Sequence, residues 1–91
     1  MTSSILRRGS DGINGLWEAS GLACGLWEHP VGESTDVEVH EVFVVLTGRA
    51  RIEVEGGEVL EIEPGDVVEL EAGARTRWIV TEHLRKFWVT L

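Results

Sequence analysis

"RIEVEGGEVLEIEPGDVVEL", residues 51–70, alternates apolar and charged side chains and is cut twice by turn residues. Ile52 and Val54 alternate with Arg51, Glu53 and Glu55, and Gly56-Gly57 then reads as a hairpin turn. Leu60 and Ile62 alternate with Glu61 and Glu63, and Pro64-Gly65-Asp66 is a second turn. A period of two places successive side chains on opposite faces of a strand, so the stretch predicts strands with one wet face. Its carboxylates are read as that solvated face rather than as an acidic ligand patch, and they discourage edge-to-edge association.

Moving outward, Val67 to Leu70 predicts another strand and "EAGA" at 71–74 another turn. A strand over Arg75–Thr81 and a final one over Leu84–Leu91 follow. No stretch keeps an apolar 3.6-residue period for three turns. The chain is therefore expected to be all-β, with about seven to nine short strands in a sandwich or barrel. Upstream, "GLWEAS" at 15–20 and "GLWEHP" at 25–30 form a near-repeat too short for a solenoid unit. Two strands meeting across "SGLAC" would explain it. Trp17 is then expected in the core, while Trp27 stays open between a core aromatic and a ligand platform.

Ninety-one residues suit one domain, and 43% hydrophobic with 26% charged residues is an ordinary globular balance. The longest apolar run, Val42 to Leu46, is too short to cross a bilayer. The first residues lack the basic-then-apolar pattern of a signal peptide, so cytoplasmic residence is the expectation. A net charge of −8 repels phosphate backbones, and the small basic group Arg75, Arg77, Arg85 and Lys86 is interrupted by glutamate. Neither nucleic acid nor membrane is expected as a partner. Cys24 stands alone, with no base or cation beside it in sequence, and reads as a small buried hydrophobe.

Five pieces in order then carry a resemblance: "GLWE" at 25–28, "EVFVVLTG" at 41–48, "PGD" at 64–66, "AGARTRW" at 72–78 and "RKFW" at 85–88. Together they resemble the short single-domain cupins of the DUF861 type. Those are related to the cupin domain of (S)-ureidoglycine aminohydrolase and to ethanolamine-utilisation cupins. The resemblance covers about residues 22–91. It implies a double-stranded β-helix, the cupin jelly-roll barrel, with a pocket at one open end. Residues 1–21 are then expected as an N-terminal arm and first strand packing on the barrel, and 22–91 as the cupin domain.

Metal-binding cupins take their ligands from two motifs, an H-x-H followed by a glutamate and a later histidine. Anchored on Gly48, the first motif makes Glu41 its glutamate and puts its histidine positions on Thr35 and Val37; the second puts its histidine position on Thr76. One of the four implied ligands remains, too few for a stable site, so no metal and no cofactor are expected. A rearranged set from Glu38, His40 and either His29 or His83 is the alternative. Glu38 and His40, however, would share the strand face opposite Glu41, which the resemblance turns out of the barrel.

With Glu41 inward, Val39, Phe43 and Val45 follow by alternation, and Thr76, Trp78 and Val80 do so on the partner strand. The expected ligand pocket is Glu41, Phe43, Val39, Trp27, Thr76 and Trp78, a mostly apolar lumen with one carboxylate and one hydroxyl. A desolvated carboxylate there has its pKa raised unless a cation pairs with it. Lys86 is read as a surface or salt-bridging residue, with a glutamate as partner in the second case. Outside the barrel, Val42, Val44 and Leu46 need cover. The segment with Ile5, Leu6, Ile13 and Leu16 would supply it, or a second copy would; a homodimer is expected.

The sequence thus points first to a cupin that binds a small molecule without the usual His-rich metal site. The alternative is a small cupin enzyme, an isomerase, lyase or amidohydrolase type using Glu41. A dimerisation domain with an occluded lumen is the third reading.

Overall fold

The computed structural model describes residues 15–19 and 22–91, and of 15–19 only the backbone path. Seven strands follow in order: β1 (Gly15–Ala19), β2 (Leu22–His29), β3 (Gly32–Val37), β4 (Glu41–Val54), β5 (Val59–Ile62), β6 (Val67–Leu70) and β7 (Arg75–Thr90). Every pairing is antiparallel. β4 and β7 are the long central pair, and each runs through two halves of the sheet. Residues 84–90 of β7 pair with β2 and with the first half of β4, which β6 and β1 extend at either side. Residues 75–80 of β7 pair with β3 and with the second half of β4, which carries β5. The two halves, β1-β2-β7-β4-β6 and β3-β7-β4-β5, enclose a common interior, and the architecture is the jelly-roll barrel expected from the resemblance.

Where the sheet folds over, the β4–β7 register slips repeatedly between Val45 and Ala50. Bulges are how a strand passes from one sheet face to another. Gly48 sits inside this stretch with φ +92°. A Cβ at Gly48 would collide with the His83 carbonyl oxygen and stand 2.7 Å from Leu84 Cα. The two backbones cross too closely for any other residue. Because the chain bends through a glycine instead of stopping, the two short strands expected over 75–81 and 84–91 are one strand, and β4 likewise runs unbroken from 41 to 54.

The core is Phe43, Val45, Ile52, Val80 and Leu84, all below 3% exposed, joined by Trp78 and smaller neighbours. Each such side chain contributes roughly 1.5–3 kcal/mol by leaving water. The two turns of the opening stretch form as the sequence predicts. Val54 N–H donates to Glu58 O (2.9 Å) across Gly56-Gly57, and the Asp66 carboxylate accepts from Glu63 N–H (2.9 Å) at Pro64-Gly65.

Residues 38–40 leave the strand between β3 and β4. Glu38 is pinned there by its backbone, donating to Ala74 O and accepting from Gly73 N–H, both at 2.8 Å. This step breaks the alternation on which the inward and outward assignments rested, and two of them are corrected. Val39, expected to face the lumen, is 57% exposed; Glu38, expected to face out, is 7% exposed.

β1 and β2 do meet across residues 20–21, with Trp17 opposite Cys24 rather than Trp27. The Trp17 side chain lies outside the described residues. So do Ile5, Leu6, Ile13 and the side chain of Leu16, and the arm expected over 1–21 apart from the β1 backbone.

Candidate functional site

Among the described residues, four polar side chains are buried inside the barrel: Glu38, Glu41, Thr76 and Lys86. Alternation along β4 and β7 accounts for three of them. Glu41 precedes Phe43 and Val45 on the inner face of β4; Thr76 shares its face with Trp78, and Lys86 shares its face with Leu84. Glu38 enters from the break between β3 and β4.

They form two clusters. In the first, Lys86 Nζ donates to Glu41 Oε2 at 2.6 Å, with the two side chains 6% and 11% exposed. Three rings surround that ammonium, with centroids at 4.2 Å (Phe43), 4.8 Å (Trp27) and 4.8 Å (Trp78). Trp27 and Phe43 stand on one half of the sheet and Trp78 on the other, at 5.4 and 5.8 Å from Trp78, so the rings bridge the barrel. A cation over aromatic faces is favoured by the ring quadrupoles, more so when water is excluded. In the second cluster, Glu38 Oε2 accepts from Thr76 Oγ1 (2.9 Å) and at longer range from Trp78 Nε1 (3.4 Å), which also donates to Thr76 Oγ1 (3.1 Å). Burial pushes the Glu38 carboxyl above the ordinary glutamate value, helped by nearby Asp36 and opposed by the Thr76 and Trp78 bonds and by Lys86.

That shift has a signed consequence. A carboxyl whose folded-state pKa is raised binds its proton more tightly when folded. Its contribution to stability is complete below the ordinary value of 4.5 and is lost as pH rises through the folded value. The stability of the wild type minus that of Glu38→Gln is therefore expected to fall as pH rises above 4.5. Urea denaturation across that range measures it, and a difference that grows with pH would show the opposite shift.

Two cavities stand out among the described residues, and one, of about 670 Å³, opens where β3 and β4 end and β7 begins, lined by Asp36, Val37, Glu53, Arg75, Thr76 and Arg77 among others. The other, about 630 Å³, is a groove between β5 and β6 with Val67 and Leu60 in its wall and carboxylates at its rim. Glu38, Glu41 and Lys86 line neither.

Of the six residues expected in the pocket, Glu41, Phe43, Thr76 and Trp78 are buried together, Trp27 packs partly buried against them, and Val39 is not among them. Side chains pack around the Lys86 ammonium, and of the six Thr76 lines the cavity at the ends of β3 and β4. His40 faces out, its Nε2 2.8 Å from Glu69 Oε2. His29 hydrogen-bonds Ser34 and the Pro30 carbonyl, and His83 lies 3.6 Å from Glu28 on the surface. Thr35 and Val37, the implied histidine positions, pair with Arg77 and Arg75 and are exposed.

Two residues named from the sequence were not placed by it inside the barrel, although the glutamate partner considered for Lys86 is there. Glu38 was hidden by the phase break. Lys86 had a usable signal, because it shares one parity along β7 with the buried Leu84 and the partly buried Trp88.

A model of the EutQ-like cupin domain matches residues 16–88. The chain belongs to the EutQ-like cupin family.

Among solved structures, this cupin is similar to a DUF861 family protein from Thermotoga maritima. The two are 33% identical with a TM-score of 0.69, over 72% of this chain and 76% of that one. It also shares its fold with the Clostridium difficile EutQ protein, at 21% identity and a TM-score of 0.68 over 76% of this chain and 55% of that one. Ectoine synthase from P. lautus matches at 23% identity and a TM-score of 0.70, over 77% of this chain and 53% of that one. No curated protein matches the chain.

The fold family implies a divalent metal held at Glu41. The residues present do not fit one. Glu41 is already bound to an ammonium inside three aromatic rings, which offer a hard cation no donor atoms. No three His, Cys, Asp or Glu side chains among the described residues gather as ligands.

Proposed function

We propose that this cupin binds a small polar organic molecule of low net charge without a metal, in the cavity where β3 and β4 end and β7 begins. The observation that carries the reading is that Thr76, which lines the cavity, also belongs to the buried Glu38–Thr76–Trp78 hydrogen-bond cluster. A few convergent polar groups backed by buried aromatics are what small-molecule sites use to orient a ligand. Three carboxylates, Asp36, Glu53 and Glu55, face two guanidiniums, Arg75 and Arg77, around the opening, so neither a strong anion nor a strong cation is favoured. The enzymatic alternative moves from Glu41, which Lys86 holds, to Glu38, whose raised pKa suits a proton donor or acceptor.

Ligand-observed NMR with a library of neutral and zwitterionic polar fragments tests this. Compounds that bind the wild type are expected to bind Glu38→Gln and Thr76→Val at least about tenfold more weakly, a loss of roughly 1.4 kcal/mol, and His40→Ala unchanged. Failure of every fragment, or binding indifferent to both substitutions, would overturn the reading.

We also propose that two copies of the chain pair through one specific face. Leu26, Phe87 and Val44 are paired in one row across β2, β7 and β4, and Val89 and Val42 in the next. Phe87 is 38% exposed and Leu46, further along β4, is 42% exposed. A continuous apolar face of this kind is what a second copy covers. Light scattering at micromolar concentration is expected to show a dimer for the wild type and a monomer for Phe87→Glu. A monodisperse wild-type monomer would remove the proposal.

A further inference from the structure

We propose that the barrel interior is an ammonium site occupied by the protein's own Lys86, whose Nζ takes the place on Glu41 that the metal-binding motif gives to a divalent ion. Three observations converge on a primary ammonium. The 2.6 Å contact with Glu41 is a charge-assisted hydrogen bond of the short kind. The three ring faces at 4.2–4.8 Å attract a cation through their quadrupoles and supply no lone pairs for coordination. Lys86 is 5% exposed, so the ammonium is held away from water that would otherwise compete.

Because the cation is tethered to β7, it is present at a high effective concentration whatever metal surrounds the protein. The site therefore has a cation of its own, one positive charge against the one negative charge of Glu41, without depending on metal supply. With Lys86 truncated, the cage and Glu41 are left to receive a free alkylammonium, which names the ligand class: a primary amine on a short unbranched chain.

Lys86→Ala removes the Cγ-to-Nζ fragment, whose atoms are those of propylammonium. Thermal unfolding of Lys86→Ala is measured with propylammonium chloride, with propanol as the uncharged isostere, with potassium chloride at equal ionic strength, and with Zn²⁺ or Mn²⁺ alone. Propylammonium at ten times its Kd is expected to raise the Tm by about 5 °C or more. Propanol and potassium chloride are not expected to do so, and the wild type, its cage already filled, gains nothing from any of the four. Two results would overturn the proposal. One is propanol restoring stability as well as propylammonium. The other is Zn²⁺ or Mn²⁺ stabilising the wild type in a way that Glu41→Gln abolishes.

Should Lys86→Ala fail to fold, ¹⁵N NMR of the wild type decides. A slowly exchanging Lys86 ammonium signal that shifts in Glu41→Gln supports the site. A Lys86 ammonium exchanging as fast as a free lysine side chain refutes it.

Discussion

Lys86→Met is expected to lose about 3–5 kcal/mol of folding stability, because it leaves the Glu41 carboxylate buried without its cation. For a domain whose total stability is on the order of 5–10 kcal/mol, this is close to unfolding it. The double substitution Lys86→Met with Glu41→Leu is expected to regain most of the loss. With both charges gone, the desolvation that opposed the pair disappears together with the attraction that offset it. Urea denaturation of the two single variants and the double variant gives the coupling. A double variant no more stable than the worse single one would mean that Lys86 acts through its packing against Trp27, Phe43 and Trp78, and not through the ion pair.

Gly48→Ala carries the second large effect, about 3 kcal/mol or more of destabilisation. Two causes add. The φ of +92° strains any residue with a Cβ, and that Cβ runs into the backbone of His83 and Leu84, which cannot swing aside as a side chain would. Gly56→Ala separates the two. Its φ is also positive, at +73°, yet nothing lies within 4 Å of an added Cβ, so only the local strain of about 1 kcal/mol is expected. Thermal unfolding of both variants is the measurement. Equal losses would show that the close crossing of β4 and β7 contributes nothing beyond the strain of the turn itself.

The strands were legible because half-buried sheets write their faces into the sequence. Ile52, Leu60 and Ile62 alternate with charges, and the turns between them carry the glycine and aspartate that those turns require. The inward set on β4 and β7 followed from the same parity: Glu41, Phe43, Thr76 and Trp78 are buried as expected. Parity fails wherever the chain leaves the strand, and residues 38–40 do so. One irregular step turned Glu38 in and Val39 out, and no local property of "VEVHE" announces it. The hydrogen bonds that hold Glu38 there come from Gly73 and Ala74, more than thirty residues away in the chain.

Alternation and turn chemistry are local, so the sequence by itself determined an all-β chain, its hairpins, its family and which face of each long strand is apolar. Partnership across the barrel is not local. That Lys86 meets Glu41 from 45 positions away, that Glu38 meets Thr76 from 38 away, and that three rings from two halves of the sheet close around one ammonium were decided only in the tertiary structure. Closing the barrel brings those side chains within bonding distance, and the free energy of a buried charge is set by the neighbours that closure supplies.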